Sequence, residues 1–241
     1  MTQPFREEHP YNRREPIPEG TRILVVGTAP PPRFSNPNCK EAGAHRLDFD
    51  FFYGSGHNYF WKWMNEIADE KGAPLPSDEA AEQEYLAAAR AFLKRHGIWM
   101  KDVLQSYQRK PEDPCSASDS SFEAPRPEDC TNITEVLDTH PSICKVVFTS
   151  ELAGNLSFMA TRSEELTQDY RSAFKSHKAQ ERGRTGDDYL DFKATTPLLV
   201  ADIHGREVRF FFAPSPSGGS GGPRESQKKE LYKRLLFSPC D

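Results

Sequence analysis

The stretch RILVVGTAPPPRF, residues 22–34, joins a short apolar run to a loop of consecutive prolines. A continuous run of β-branched and aliphatic residues is typical of a strand that is covered on both faces. A second such run is KVVFTS, 145–150, and the stretch 197–214 holds two strand-like runs around the turn signal His204-Gly205. With helical patterns between them, these runs predict an α/β fold, a three-layer αβα sandwich with a mostly parallel central sheet.

The segments between the strands are predicted to be helices or polar loops. Apolar residues recur at helical spacing over 57–70, and 77–97 predicts a helix with Ser77 as its cap. A short helix over 132–140, with Thr131 able to cap it, and a last helix before residue 237 complete the pattern. Polar loops, insertions and tails are predicted over three further ranges: 110–131 (long loop), 161–195 (charged, partly helical surface insertion) and 1–20 (charged, proline-rich tail). Residues 21–241 are therefore expected to form one domain.

Composition excludes several classes of protein. A net charge of −5 gives no general attraction to nucleic acid, although a site that grips a few phosphates is compatible with it. The 5 cysteines show no CxxC pair or metal-ligand spacing, so we expect reduced thiols and no metal. No segment is typical of a signal peptide or a membrane span. We expect a cytoplasmic monomer, associated with the nucleoid if the protein is bacterial.

Two loops are expected at the carboxyl ends of strands, where open α/β sheets bind ligands: GTAPPPRFS, 27–35, and APSPSGGSGG, 213–222. The first cannot be a phosphate-binding P-loop, because its three prolines have no N–H to donate and no GK[ST] follows. On this loop alone, an ordinary rigid turn is the favoured interpretation. The glycines of the second loop and the helix behind it suit an anion, with positive charge nearby, although a flexible connector has the same composition. The nearby cations are Lys228, Lys229, Lys233 and Arg234.

Taken in order, the motifs resemble those of the uracil-DNA glycosylase superfamily. They are the strand ending in G-T-A-P, then YGSGHNYFW (53–61), GIWMKDVL (97–104), Asn132-Ile133, a buried strand and APSPS. YGSGHNYFW resembles the mismatch-specific uracil branch and, more closely, the hypoxanthine-DNA glycosylase branch. The resemblance covers roughly residues 22–236, and the insertion fits it poorly. It implies an enzyme that hydrolyses the N-glycosidic bond of a base rotated out of the duplex, without cofactor or metal.

The resemblance also implies roles for individual residues. Asn58 would be catalytic, its carbonyl oxygen orienting a water; the alternative is a capping residue in the first turn of the helix. Tyr53 would stack on the flipped base, unless it packs in the core. Asn132 would be a second catalytic residue or simply a helix start. The implied base pocket also includes Gly27, Thr28, Ala29 and Asp102, and the role of Asp102 would be primarily structural. The residues implied to contact the phosphates or to fill the vacated space in the duplex are Ser215, Ser217, Gly218 and Gly219.

Two departures from the family pattern affect the chemistry. Thr28 and Ala29 stand where other branches have an acid or an asparagine, which places the catalytic burden on Asn58. Ala213 stands where the uracil branch has a histidine that faces the leaving base, and His57 is a possible substitute.

These observations favour a monofunctional DNA glycosylase that acts on uracil or hypoxanthine in DNA and so initiates base excision repair. No lysine stands at a matched catalytic position, so strand cleavage through a Schiff base is not expected. Two alternatives stay open. One is a non-catalytic module of the same fold that binds damaged or single-stranded DNA. The other is an α/β enzyme that acts on a free nucleoside or nucleotide, which the negative net charge favours.

Overall fold

The computed structural model describes residues 5–76, 81–219, 221 and 223–239. The expected cap Ser77 and the expected loop residue Gly222 lie outside these ranges. The strands in chain order are β1 Arg6–Glu8, β2 Ile23–Gly27, β3 Ile98–Asp102, β4 Ser106–Gln108, β5 Lys145–Phe148, β6 Leu199–Asp202 and β7 Glu207–Phe212. The α-helices are α1 Phe60–Glu70, α2 Glu82–Arg95, α3 Ile133–Thr139, α4 Glu151–Met159, α5 Glu164–Glu181, α6 Gly186–Thr195 and α7 Glu225–Phe237.

A five-stranded sheet in the order β3-β2-β5-β7-β6 forms the centre of the molecule. The pairs β2–β3, β2–β5 and β5–β7 are parallel, and β6 joins the edge antiparallel to β7. The predicted mostly parallel α/β sheet is confirmed. In the β2–β3 register Gly27 lies opposite Asp102, so both residues come to the same carboxyl edge.

Helices cover both faces of the sheet, because successive side chains of the buried strands point to opposite sides. In β2, Ile23 and Val25 join the hydrophobic cluster that includes the apolar sides of α1, α2 and α7. Leu24 and Val26 join the opposite cluster, which includes residues of α3, α4 and α5. The three-layer arrangement follows directly from this double burial.

The N-terminal segment differs from the predicted tail. Residues 6–8 form β1, which pairs antiparallel with β4, and Tyr11 is only 1% exposed. Two of the charges that suggested a tail are buried in ion pairs: Glu7 Oε1 accepts from Arg109 Nε at 3.1 Å, and Glu15 Oε2 accepts from Arg90 Nε at 3.0 Å. A buried charge is tolerated because it is paired and hydrogen-bonded.

The insertion over 161–195 is more regular than predicted, since it consists of α5 and α6. It packs on α4 through Tyr170 of α5, whose ring stacks on Phe158 with centroids 4.1 Å apart. Lys193 of α6 is buried against Glu181, and burial lowers the pKa of this lysine to about 8. No helix in the described ranges is long and apolar enough to cross a membrane.

The cysteines correct one expectation. Cys39 and Cys115 form a disulfide, with their Cα atoms 5.4 Å apart and a sequence separation of 76 positions. The prediction of reduced thiols is therefore wrong for this pair. Sequence spacing could not reveal it, because the two cysteines come from different loops, one after β2 and one in the long loop 110–131.

Removing this disulfide should destabilise the protein. A link that closes a loop of this length restricts the unfolded chain, so C39S/C115S should lower the free energy of unfolding by about 2–4 kcal/mol. Urea unfolding with and without dithiothreitol measures the difference. Reductant should bring the wild type to the stability of the double variant and leave the double variant unchanged. Equal stability of all four samples would contradict a disulfide in solution.

Candidate functional site

A cleft of about 470 Å³ opens at the carboxyl edge of β2, β3 and β5. Its volume is within the range of small-molecule sites. Both proline-bearing loops line it, and it brings together most of the residues that sequence reasoning selected. The predicted residues that line the cleft are Gly27, Thr28, Ala29, Tyr53, Asn58, Asp102, Ser215 and Ser217.

Gly27, the last residue of β2, forms the most closely packed part of the cleft. A Cβ atom there would overlap Asp102 Oδ1 and would lie 2.6 Å from the hydroxyl oxygen of Tyr53. Contacts this short do not occur, so any other residue would displace one of these two side chains. The missing side chain at Gly27 is what allows Tyr53 and Asp102 to approach the same point.

Tyr53 has a backbone conformation that L-residues rarely adopt, with φ of 56°. The turn around it is tight: Phe49 N donates to Gly54 O at 2.9 Å, and a Cβ at Gly54 would overlap the Phe49 carbonyl. The Tyr53 ring stacks on Phe60, with centroids 5.0 Å apart and planes at 22°. Strain of this kind is frequent where a side chain must be aimed into a site.

The hydroxyl of Tyr53 is hydrogen-bonded to Thr149. The two hydroxyl oxygens lie 3.0 Å apart, and Thr149 Oγ1 can also donate to the carbonyl of Val26 at 3.4 Å. Burial, followed by the negative charge of Asp102, raises the pKa of Tyr53 well above its ordinary value. The phenol therefore stays neutral, and its ring forms one half-buried wall of the cleft.

Asn58 contacts both the start of α1 and the cleft. Its Oδ1 accepts from the backbone N of Phe60 at 2.9 Å, so the side chain caps the first N–H of α1 from the position before the N-cap residue Tyr59. It is also half-buried and lines the cleft. A carbonyl oxygen has two lone pairs and an amide nitrogen carries two hydrogens, so capping leaves hydrogen-bonding capacity for a ligand.

The segment that carries Asn58 is joined to the second loop through the backbone. Asn58 and Ser217 form an isolated antiparallel bridge, and Gly218 N donates to His57 O at 3.0 Å. His57 precedes α1, is exposed and lines the cleft. These bonds fix the two walls of the cleft relative to each other.

The second loop is held against α7 by contacts to its carbonyl groups. Lys228 Nζ donates to Ser215 O at 3.2 Å, and Tyr232 Oη donates to Pro214 O at 3.0 Å. Gly218 and Gly219 follow, outside the lining of the cleft. The expected positive charge nearby is largely neutralised: Lys229 pairs with Glu66 and Glu70, Lys233 with Glu70, and Arg234 with Glu230 and Asp191.

Asp102 is held by contacts to the N-terminal segment. Its Oδ2 lies 2.8 Å from His9 Nε2, and His9 Nδ1 accepts from the backbone N–H groups of Tyr11 and Asn12. Since Nδ1 is an acceptor, the proton of the imidazole is assigned to Nε2, which donates to the carboxylate. The N-terminal segment thus fixes the floor of the cleft.

Two other predicted positions are placed elsewhere. Asn132 does not line the cleft; its Oδ1 accepts from Thr134 N at 3.1 Å, so it, and not Thr131, caps α3. Ala213 is fully buried and offers no donor.

Sequence reasoning missed a carboxylate in the cleft. Asp119, from the long loop 110–131, lies with its Oδ2 3.4 Å from Thr28 Oγ1, although the two residues are 91 positions apart. Thr28 Oγ1 is also 2.7 Å from Ser150 Oγ. Several acids occur in this loop, and no pattern in the sequence distinguishes Asp119 from the others.

The described residues contain no cluster of three or more His, Cys, Asp or Glu that could hold a metal ion. No protein-family model matches the chain, and no curated protein matches it significantly. Among solved structures, it is similar to the solution NMR structure of a candidate uracil DNA glycosylase from Methanosarcina acetivorans. The sequence identity is 17%, the TM-score is 0.45, and the match covers 91% of this chain and 93% of that chain.

Proposed function

We propose that the protein is a monofunctional DNA glycosylase that hydrolyses the N-glycosidic bond of a deaminated base, uracil or hypoxanthine, in DNA. One observation supports this most: the ring of Tyr53 and the amide of Asn58 line one cleft between the two proline-bearing loops. The order of the sequence motifs agrees with this function.

The first step is the entry of a base that has left the duplex. Rotating a base out of the stack costs a few kcal/mol and least at a mismatch, which favours damaged bases. Tyr53 would provide the stacking surface, worth about 1–3 kcal/mol per base. Its other contacts, to Phe60 and Thr149, keep the ring in place before the base arrives. Gly27, Thr28 and Ala29 would line the rest of the base pocket, and Asp102 would keep its floor in shape.

The second step is the hydrolysis of the bond to the sugar. Asn58 would position water through the second lone pair of Oδ1, or donate from Nδ2 to the departing base. An amide suffices when the bond breaks early, because the main need is then to stabilise charge on the sugar and on the base. Asn132 lies outside the cleft, so we assign no catalytic step to it. Among the described residues that line the cleft there is no lysine, so we propose simple hydrolysis without a Schiff base.

The third element is the grip on the DNA backbone. Ser215 and Ser217, with Gly218 and Gly219 beyond them, would face the phosphates next to the extruded nucleotide. Because the cations of α7 are paired with acids, we expect this grip to be local and modest in strength.

An activity panel tests the proposed function. Labelled duplexes and single strands that contain uracil, hypoxanthine or normal bases are incubated with excess protein and then treated with alkali. Abasic sites at one of the deaminated bases are expected, without strand cleavage before alkali. Deoxyuridine and deoxyinosine are tested in parallel, since faster release from a free nucleoside would favour the nucleoside-acting alternative. Binding to the lesion without any abasic product would favour the non-catalytic module.

Replacing Asn58 should remove activity. Asn58→Ala should lower the single-turnover rate on the preferred duplex by roughly 100-fold, comparable to the loss of one oxyanion-stabilising donor. Duplex binding should be retained. The lost cap should also cost about 1 kcal/mol of stability.

Ser163→Ala is the matched control for the cap. Ser163 Oγ accepts from Leu166 N at 3.2 Å at the start of α5, so its loss should cost similar stability without lowering the rate. If Asn58→Ala keeps the wild-type rate, the catalytic assignment of Asn58 is wrong.

Replacing Tyr53 should weaken recognition of the extruded base. Tyr53→Ala should reduce affinity for a duplex with 2′-fluoro-deoxyuridine or 2′-fluoro-deoxyinosine by roughly 5–100-fold, the value of one stacked base. The fluorine makes the bond resistant to cleavage, so binding alone is measured. Tyr53→Phe keeps the ring and should bind nearly as well as the wild type. Tyr85→Ala removes a ring outside the cleft and should leave discrimination between lesion and undamaged duplex unchanged; equal discrimination by Tyr53→Ala would contradict the stacking role.

A further inference from the structure

The loop after β2 has no acid of its own, yet a carboxylate reaches it from elsewhere in the chain. Thr28 Oγ1 can donate to Asp119 Oδ2 at 3.4 Å and can accept from the hydroxyl of Ser150, 2.7 Å away. Ser150 Oγ in turn accepts from Ala153 N at 2.9 Å, at the start of α4. The three side chains form a directed chain that ends on the carboxylate, which is exposed toward the cleft.

Two restraints hold the loop that carries Asp119. The buried guanidinium of Arg109 donates to Ser116 O at 2.7 Å and to Ser121 Oγ at 3.0 Å, on either side of Asp119. The same guanidinium donates to Pro30 O at 3.1 Å in the loop after β2. The disulfide at Cys115 supplies the second restraint. A polar surface loop is ordinarily mobile. The bonds from Arg109 and the disulfide restrict this loop, as expected if the carboxylate of Asp119 must be held in a defined position.

The surroundings of Asp119 suit a base. Although Asp119 as a residue is exposed to the cleft, the protein around its carboxyl group partly removes it from water, and this desolvation raises its pKa. The hydrogen bond from Thr28 and the charge on Arg109 act in the lowering direction. Asp102 adds a further raising effect through its negative charge. The other titratable groups that line the cleft are Tyr53, His57 and Arg33. Arg33 forms an ion pair with Asp48.

We propose that Asp119 is the general base of the hydrolysis: it accepts a proton from the water that attacks the sugar carbon. This inference rests on the proposed function. The water oxygen forms the bond to the anomeric carbon while the bond to the base nitrogen breaks. The base leaves with the electron pair of that bond and later takes up a proton. One proton of the water passes to Asp119, which releases it to solvent after the base has left. Asn58 and Asp119 then act on the same water from opposite loops.

A pH profile of single-turnover rates tests this role. In the wild type the rate should fall toward acid pH as Asp119 becomes protonated. The midpoint of this acid limb should lie above the ordinary pKa of an aspartate. Asp119→Asn keeps the shape of the side chain and should lower the rate at neutral pH by roughly 100-fold, as expected for general base catalysis. It should also abolish the acid limb. Asp119→Glu keeps a carboxylate and should retain the acid limb with a partial rate.

Asp113→Asn is the matched control, because it removes one negative charge from an exposed position of the same loop outside the cleft. It should behave as the wild type. A wild-type rate and an unchanged acid limb in Asp119→Asn, with the wild type active, would overturn the role of Asp119 alone. Absence of abasic product from the wild type itself would overturn the proposed function, and the assignment of Asp119 with it.

Discussion

The cleft depends on the absence of a side chain at the end of the central strand. Gly27 lets the hydroxyl of Tyr53 and the carboxylate of Asp102 approach one point above β2, where a single methyl group would overlap both side chains. Two features around this point are energetically unfavourable on their own: a left-handed backbone at Tyr53 and a buried carboxylate that needs His9 as its partner. The surrounding structure stabilises both features, so the aromatic wall is formed before any ligand binds. Such preorganisation reduces the entropy lost on binding.

Buried ionic groups organise the rest of the site. Arg109 is 3% exposed and connects Glu7 of β1, Pro30 of the loop after β2 and the loop that carries Asp119. Removing one partner of such a pair leaves an uncompensated charge, so the three segments are strongly coupled. The N-terminal segment is thus part of the site, although none of its residues lines the cleft. The disulfide between Cys39 and Cys115 adds a covalent restraint to the same group of loops.

The sequence could predict what is determined locally. The apolar runs of β2 and β5 indicate strands buried on both faces, and the loops that follow strand ends indicate the position of the cleft. The sequence could not predict contacts between segments that are distant along the chain. Glu7 contacts Arg109 across 102 positions, and Thr28 contacts Asp119 across 91. The polar composition around Glu7 predicted only a tail, and that around Asp119 predicted only a loop. The tight turn over residues 51–53 could not be predicted either. Phe51 and Phe52 are both buried there, and Tyr53 adopts a positive φ.

The central claim is that an extruded nucleobase lies against the ring of Tyr53. Photo-crosslinking tests it directly, with a duplex that carries 5-iodouracil in place of the damaged base and with Asn58→Ala protein, so that the base is not released. Irradiation links this base to the aromatic side chain on which it stacks, and mass spectrometry of the digested complex identifies the residue. We predict a crosslink at Tyr53 that undamaged competitor duplex does not abolish. A crosslink confined to residues outside the cleft, with Tyr53 unmodified, would contradict the account.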